Sequence, residues 1–88
     1  MREARLTIGE KERHELHLHY SQTNRRIYVT VDGERQDEIH MPWAGRHVTN
    51  ARFVVGQAER HDVEVKVISG LFSAEVHVIV DGKLVFTL

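Results

Sequence analysis

Histidines are the residues of this chain whose type and spacing most readily suggest chemistry, because there are seven of them among 88 residues. His17 and His19 stand two positions apart, and residues at that spacing on a β-strand lie on one face. Two imidazoles on one face can bind Zn²⁺ or Ni²⁺ when a third ligand, such as His40 or His47, lies close by. The alternative is a solvated polar face, which we favour because the chain has no cysteine and no spaced second ligand pair. We therefore expect no cofactor and keep His17 and His19 as the metal alternative.

Another histidine, His77, has a potential partner across a hairpin. His77 faces Lys66 if the loop between their strands is short, and a cross-strand structural pair is then the expected role.

The remaining reactive side chains show no arrangement typical of an enzyme. Carboxylates are numerous, but none stands at a diagnostic spacing from a nucleophile, and the chain has no Gly-x-Ser-x-Gly motif or phosphate-binding glycine loop. With no cysteine, thiolate chemistry and disulfides are excluded. We expect a protein that is not an enzyme.

Charge and hydropathy limit the kinds of partner. A net charge of −1 argues against a nucleic-acid surface, so a solvated face is the expected role of Arg25, Arg26 and Tyr28. No apolar run is long enough to cross a bilayer, and the charged N-terminus lacks a signal-peptide core. These features, with the absence of cysteine, predict a cytoplasmic location and no membrane partner.

The elements that must position these residues are β-strands. β-branched and apolar residues alternate with polar ones at a period of two, which is typical of half-buried strands. Residues 34–40 are mostly polar and offer no apolar partners to the preceding strand, so we expect a weak edge strand or a solvated loop there. The expected strands are 5–9, 14–20, 26–31, a strand within 46–56, two strands within 61–82, and 84–88.

Two Asp-Gly pairs, at 32–33 and 81–82, predict tight hairpin turns. After the second turn, a two-residue loop would place Leu84 and Phe86 opposite Ile79 and His77. A loop with one more residue and a bulge at Gly82 would place them beside Val78 and Val76. We favour the second register because it keeps the apolar residues on one face.

The chain also contains two similar segments. Glu-Arg-His begins a strand at 12–14 and again at 59–61, and each copy runs through a hairpin into Val-Asp-Gly. Duplication of a four-strand unit and convergence of two hairpins on similar residues both explain this. Either way, seven or eight short strands with frequent turns predict one all-β domain over residues 1–88, an antiparallel β-sandwich.

With these strands in place, the chain resembles the N-terminal domain of the Fas apoptotic inhibitory molecule family. The features that carry the resemblance cover roughly residues 3–85. They are, in order, the strand from His14, Val31-Asp32-Gly33, Trp43, Phe53-Val54-Val55-Gly56, Ile68-Ser69-Gly70 and the Gly82-Lys83 turn.

This resemblance implies an all-β sandwich without catalytic activity. Its members are associated with protein–protein contacts in survival signalling and with protection against aggregation. They also carry a second β domain for which this chain has no counterpart.

The residues expected to contact a protein partner lie in the connection around Trp43 and in the last strand. Trp43 caps the open end of the core in the favoured interpretation, and anchors an interface if it is exposed. The apolar ending that contains Val85, Phe86 and Leu88 needs cover. It pairs within the domain, or joins the same strand of a second copy in a homodimer, or marks the chain as a fragment. We expect a protein-interaction module, with self-association through this strand as the leading possibility.

Overall fold

The computed structural model describes residues 2–21, 23–41, 46–70 and 74–87, which form eight β-strands and their connections. No helix in these ranges is long and apolar enough to span a membrane. The strands are β1 (Arg2–Ile8), β2 (His14–Ser21), β3 (Arg26–Val31), β4 (Glu34–His40), β5 (His47–Val55), β6 (His61–Ser69), β7 (Ala74–Val80) and β8 (Lys83–Thr87).

The strands form two four-stranded antiparallel sheets that pack face to face, so the predicted all-β sandwich is confirmed. Each sheet is a simple meander, in the order β1-β2-β3-β4 and β5-β6-β7-β8. The Asp-Gly pairs turn the chain between β3 and β4 and between β7 and β8. Asp32 and Asp81 have φ near 51° and the following glycines have φ near 82°, as the type I′ hairpin turn requires.

Alternation along the strands gives each sheet one buried face. The two inner faces together form a single core made almost entirely of aliphatic residues, which is the expected result when both sheets are amphipathic. The core residues are Ala4, Ile8, Leu16, Leu18, Tyr20, Ile27, Val29, Val31, Ile39, Met41, Ala51, Val55, Val63, Val65, Val67, Val76 and Val78.

The expectation that residues 34–40 offer nothing apolar to β3 is wrong. They form the edge strand β4, and Ile39 lies opposite Ile27 with its side chain buried. The register shifts between Val29 and Thr30, where Gln36 is the extra residue on β4. A bulge changes which residues point inward, and so it places Ile39 on the core side.

The predicted register of β8 is also wrong in its details. Leu84 pairs with Ile79, as in a two-residue loop, and a bulge at Val85 then places Phe86 opposite Val78 rather than Val76. Phe86 packs against the core as expected, but Leu84 does not. The bulge lies within the strand and not at Gly82, because the type I′ turn already accommodates Gly82.

The predicted exposure of Arg25 is wrong as well. This residue has φ near 55° in the connection between β2 and β3, and its side chain is buried. Its Nη2 donates a hydrogen bond of 2.9 Å to the carbonyl oxygen of Gly70, which follows β6 in the other sheet. Arg25 therefore links the two sheets, while Arg26 lies at the surface and pairs with Glu38.

The four edge strands lie on the two sides of the sandwich. On one side β4 runs next to β5. On the other side β1 and β8 flank a groove lined in part by Leu6, Ile8 and Val85.

The contribution of the core to the free energy of unfolding can be measured by substitution. Leu18 is fully buried between Ala4 of β1 and Val29 of β3, so Leu18→Ala should lower the free energy of unfolding by about 2–5 kcal/mol. The exposed Val48→Thr keeps a β-branched side chain and should change it by no more than about 0.5 kcal/mol. Urea unfolding of both variants tests this, and equal effects would contradict the placement of the core.

Candidate functional site

The last strand carries two consecutive exposed apolar side chains at the edge of its sheet. Leu84 is 58% exposed and Val85 is 52% exposed. Phe86, in contrast, is partly buried and packs against the core. Of the predicted interface residues, Val85 is therefore accessible and Phe86 is largely structural, while Trp43 and Leu88 lie outside the described residues.

The predicted histidine pair lies on the outer face of the first sheet. The rings of His17 and His19 are 6.4 Å apart. Between them stands Glu3 of β1, whose carboxylate lies 3.1 Å from His19 Nδ1 and 3.9 Å from His17 Nε2. His40 and His47 lie on β4 and β5, so neither joins the pair through the sheet register. Among the residues that the structure describes, no group of three His, Cys, Asp or Glu can hold a metal ion.

The predicted pairing of His77 with Lys66 is confirmed by the register of β6 and β7. The His77 ring also lies 3.4 Å from the Glu75 carboxylate on its own strand. This surface pair has the geometry of an ordinary cross-strand contact.

A cluster of carboxylates and histidines that the sequence had not assigned to a site joins the two sheets at one end. We call it the clasp. It consists of two matching groups, one in each half of the chain. The groups are Glu12, His14 and Asp32 in the first half, and Glu59, His61 and Asp81 in the second.

The two glutamates of the clasp cross from one half of the chain to the other. Glu12 lies in the loop after β1, and its carboxylate accepts the backbone N–H groups of Gln57, Ala58 and Glu59 at 2.8–3.4 Å. Glu59 lies in the loop after β5, and its carboxylate accepts the N–H groups of Glu10 and Lys11 at 2.8 and 2.9 Å. Each loop is therefore held by the carboxylate of the other.

Each histidine of the clasp lies between two carboxylates. His61 Nδ1 is 2.6 Å from Asp81 and its Nε2 is 2.7 Å from Glu59. His14 Nδ1 is 2.5 Å from Asp32, and its Nε2 forms a longer ion pair of 3.3 Å with Glu12. Only the protonated imidazole can donate from both nitrogens at once, as His61 does, so this geometry favours its charged form. The two carboxylates beside His14 favour the charged form of that residue as well.

Two aspartates complete the clasp and also form the hairpin turns. The second oxygen of Asp32 accepts the N–H of Glu15, and that of Asp81 accepts the N–H of Asp62, both at 2.9 Å. Each aspartate therefore fixes the position of a turn relative to the start of β2 or β6.

The close approach of the two loops depends on Gly9 and Gly56, which have φ near 100°. A Cβ atom on Gly9 would overlap the carbonyl oxygen of Glu12 and stand 2.8 Å from the Glu59 carboxylate. A Cβ on Gly56 would meet Glu59 and the Glu12 carboxylate in the same way. Glycine is thus needed at both positions for space as well as for backbone conformation.

The contacts of the clasp shift the pKa values of its members. The hydrogen bond from His61, followed by the N–H groups of Lys11 and Glu10, lowers the pKa of Glu59 to about 2. The carboxylates of Glu59 and Asp81 raise the pKa of His61.

The other members shift in the same directions. Asp32, and then Glu12, raise the pKa of His14. Backbone N–H groups, and then His14, lower the pKa values of Glu12 and Asp32, while His61 and the N–H of Asp62 lower that of Asp81.

Chemically, the clasp is an ion-paired lock between two loops and contains no nucleophile. The repeated Glu-Arg-His and Val-Asp-Gly segments are the sequence signal that could have found it, because they contain all six members. What the sequence does not show is that each glutamate binds the opposite loop.

Comparison of the chain with protein-family models, with curated proteins and with solved structures finds no significant match.

The clasp predicts how stability depends on pH. A histidine whose pKa is raised stabilises the fold fully below its ordinary value of 6.5, and this is lost as the pH rises through the raised value. A carboxylate whose pKa is lowered stabilises the fold above its ordinary value, and this is lost as the pH falls through the lowered value, near 2 for Glu59. Thermal unfolding should therefore show the highest midpoint between about pH 5 and about pH 6.5.

A double variant separates the clasp from the other histidines. His14→Gln with His61→Gln should flatten the fall in midpoint above pH 6.5, whereas His17→Gln, outside the clasp, should leave it unchanged. An unchanged alkaline slope in the double variant would contradict the assignment.

Replacement of a clasp glycine has its own matched control. Gly56→Ala places a methyl group against backbone and carboxylate atoms, whereas Gly33→Ala has nothing within 4 Å and only its positive φ to accommodate. Gly33→Ala should lower the free energy of unfolding by about 1–2 kcal/mol, and Gly56→Ala by clearly more. Urea unfolding compares them, and similar losses would show that the loops are not closely packed.

Proposed function

We propose that this protein is a non-enzymatic protein-binding module that associates with a second copy of itself through β8. The observation that carries the proposal is the exposure of Leu84 and Val85 on a strand at the edge of its sheet. In the part of the chain that the structure describes, β8 pairs only with β7. An apolar edge strand with free backbone groups is a template for pairing with another strand.

The first half of the chain provides an internal comparison. β4 also follows an Asp-Gly turn, also lies at an edge and also contains a bulge after its second residue. At the positions that match Leu84 and Val85 it has Arg35 and Gln36, followed by Asp37 and Glu38. Charged side chains protect edge strands from association, and β8 lacks them after Lys83.

In the proposed dimer, β8 pairs antiparallel with β8 of a second copy of the chain. Two strands paired in this way are related by a two-fold axis. It would extend the four-stranded sheet to eight strands across the dimer. A single strand pair covers little surface, so a weak dimer with a dissociation constant of about micromolar or above is expected.

The resemblance to the Fas apoptotic inhibitory molecule family supports the same class of function. It implies protein–protein contacts on an all-β sandwich and no catalysis, and the absence of cysteine is compatible with the cytoplasmic location that we propose. The family's signalling role is not part of this proposal.

Replacing the exposed apolar residues of β8 with the residues at the matching positions of β4 tests the proposal. Leu84→Arg with Val85→Gln should weaken the dimer at least about tenfold, because a charge would replace an apolar contact at the edge. Light scattering over about three decades of concentration measures this. Both side chains are exposed, so the melting midpoint should stay close to that of the original chain. Phe86 is unsuitable for this test because its substitution would disturb the core.

Val54→Thr is the matched control. Val54 is 56% exposed on the edge strand β5, and Thr7 is its counterpart in the first half. This variant should leave the molar mass at every concentration unchanged. A chain that stays monomeric throughout, or a dimer unaffected by the β8 variant, would overturn the proposal.

A further inference from the structure

We propose that His61 is a proton-dependent regulator of association through β8, an inference that rests on the function proposed above. His61 begins β6, and its two ring nitrogens contact Glu59 and Asp81, which link it to the loop after β1 and to the turn before β8. Protonation would hold these elements in the arrangement that a second copy binds, and loss of the proton would release them.

The connection to β8 runs through the hairpin turn. Asp81 binds His61 Nδ1 at 2.6 Å and the N–H of Asp62 at 2.9 Å, and β8 begins two residues later at Lys83. The position of Asp81 therefore sets where β8 leaves the turn and how its first residues face the groove.

The connection to β1 runs through Glu59. Its carboxylate binds His61 Nε2 at 2.7 Å and the N–H groups of Glu10 and Lys11, which follow β1. A continuous chain of hydrogen bonds thus joins the loop after β1 to the turn before β8, with the imidazole at its centre.

The groove itself shows that these contacts converge on one surface. Its lining includes Glu10, His61 and Asp81 at one end, together with Val80 and Val85. Val85 is one of the two exposed residues that carry the proposed association. The histidine and the proposed contact residue therefore share one surface.

Loss of the proton changes the contacts on both sides of the ring. A neutral imidazole has one N–H, so it can donate to Glu59 or to Asp81 but not to both. The other carboxylate then faces a nitrogen lone pair at about hydrogen-bond distance, which is repulsive. Movement of either carboxylate loosens one wall of the groove, and ordering it again opposes association.

Among the charged groups in this region, His61 is the candidate for the proton-dependent change. Glu59 and Asp81 contact it directly, and His77 lies further along β7, opposite Thr87 of β8. The other charged residues of the two loops, of the turn and of the strand starts next to it are Glu10, Lys11, Glu12, Arg13, Arg60, Asp62 and Lys83.

His14 supplies a control built into the fold. It has the same position in the first half, but its Nδ1 binds Asp32, which holds the turn before β4 on the other side of the sandwich. Its second partner, Glu12, lies 3.3 Å from Nε2 and binds the loop that contains Glu59. His14→Gln should therefore affect the clasp in a similar way but leave both contacts of His61, and with them the turn before β8, in place.

The experiment is the dimer dissociation constant as a function of pH, measured by sedimentation for the full chain. The original chain should bind about tenfold more tightly at about pH 6 than at about pH 9. His61→Gln should bind weakly at both values, while His14→Gln and His77→Gln should keep the difference. Asp81→Asn, which retains a residue tolerant of positive φ, should reduce the difference as well, with Asp32→Asn as its control.

The outcomes separate this inference from the proposed function. A dimer that is lost on Leu84→Arg with Val85→Gln but shows no pH dependence would overturn the role of His61 and leave the β8 interface standing. Equal behaviour of His61→Gln and His14→Gln would overturn it too. A monomer at every pH would overturn both. Circular dichroism at each pH confirms that every variant is folded.

Discussion

Backbone N–H groups in the loops that follow β1 and β5 need acceptors, and they find them in the opposite loop. Glu12 and Glu59 each accept hydrogen bonds from the loop that contains the other. A carboxylate that accepts two or three backbone donors is a strong, directional partner. Neither half can complete this arrangement alone, and so the clasp makes the two sheets interdependent at this end of the core.

The two halves of the chain share the same structural features. Turn conformation, bulge position, glycine conformation and the Glu-His-Asp groups all match between them. Hairpins of similar sequence would share turns and bulges for local reasons. Reciprocal binding of Glu12 and Glu59 is a long-range match that local hairpin preferences do not require, and it supports the duplication of a four-strand unit.

Much of the fold could be predicted from the sequence because the alternation of apolar and polar residues along a strand is a local pattern. β3 has the expected bounds, and the pairing of Lys66 with His77 follows from two clear runs of valine. The bulges at Gln36 and Val85 could not be predicted, because one extra residue reverses the inward and outward positions without leaving a pattern.

The site was harder to predict than the fold. The residues of the clasp were visible as repeated segments, but the backbone N–H groups that its glutamates bind lie 45–49 positions away and depend on how the sheets face each other. Arg25 was misjudged for a similar reason: the carbonyl that accepts its hydrogen bond belongs to the other sheet. Contacts of this kind follow from tertiary packing and not from the local pattern.

The difference between β4 and β8 has a consequence for how far association can grow. A symmetric pair of identical half-chains would expose two equally adhesive edges, and units with two such edges add end to end without limit. Once the two units are joined in one chain, each edge can change independently. Of the two matching edges, β4 carries charges and β8 carries aliphatic residues. The association that we propose through β8 would therefore stop at a pair instead of continuing into a filament.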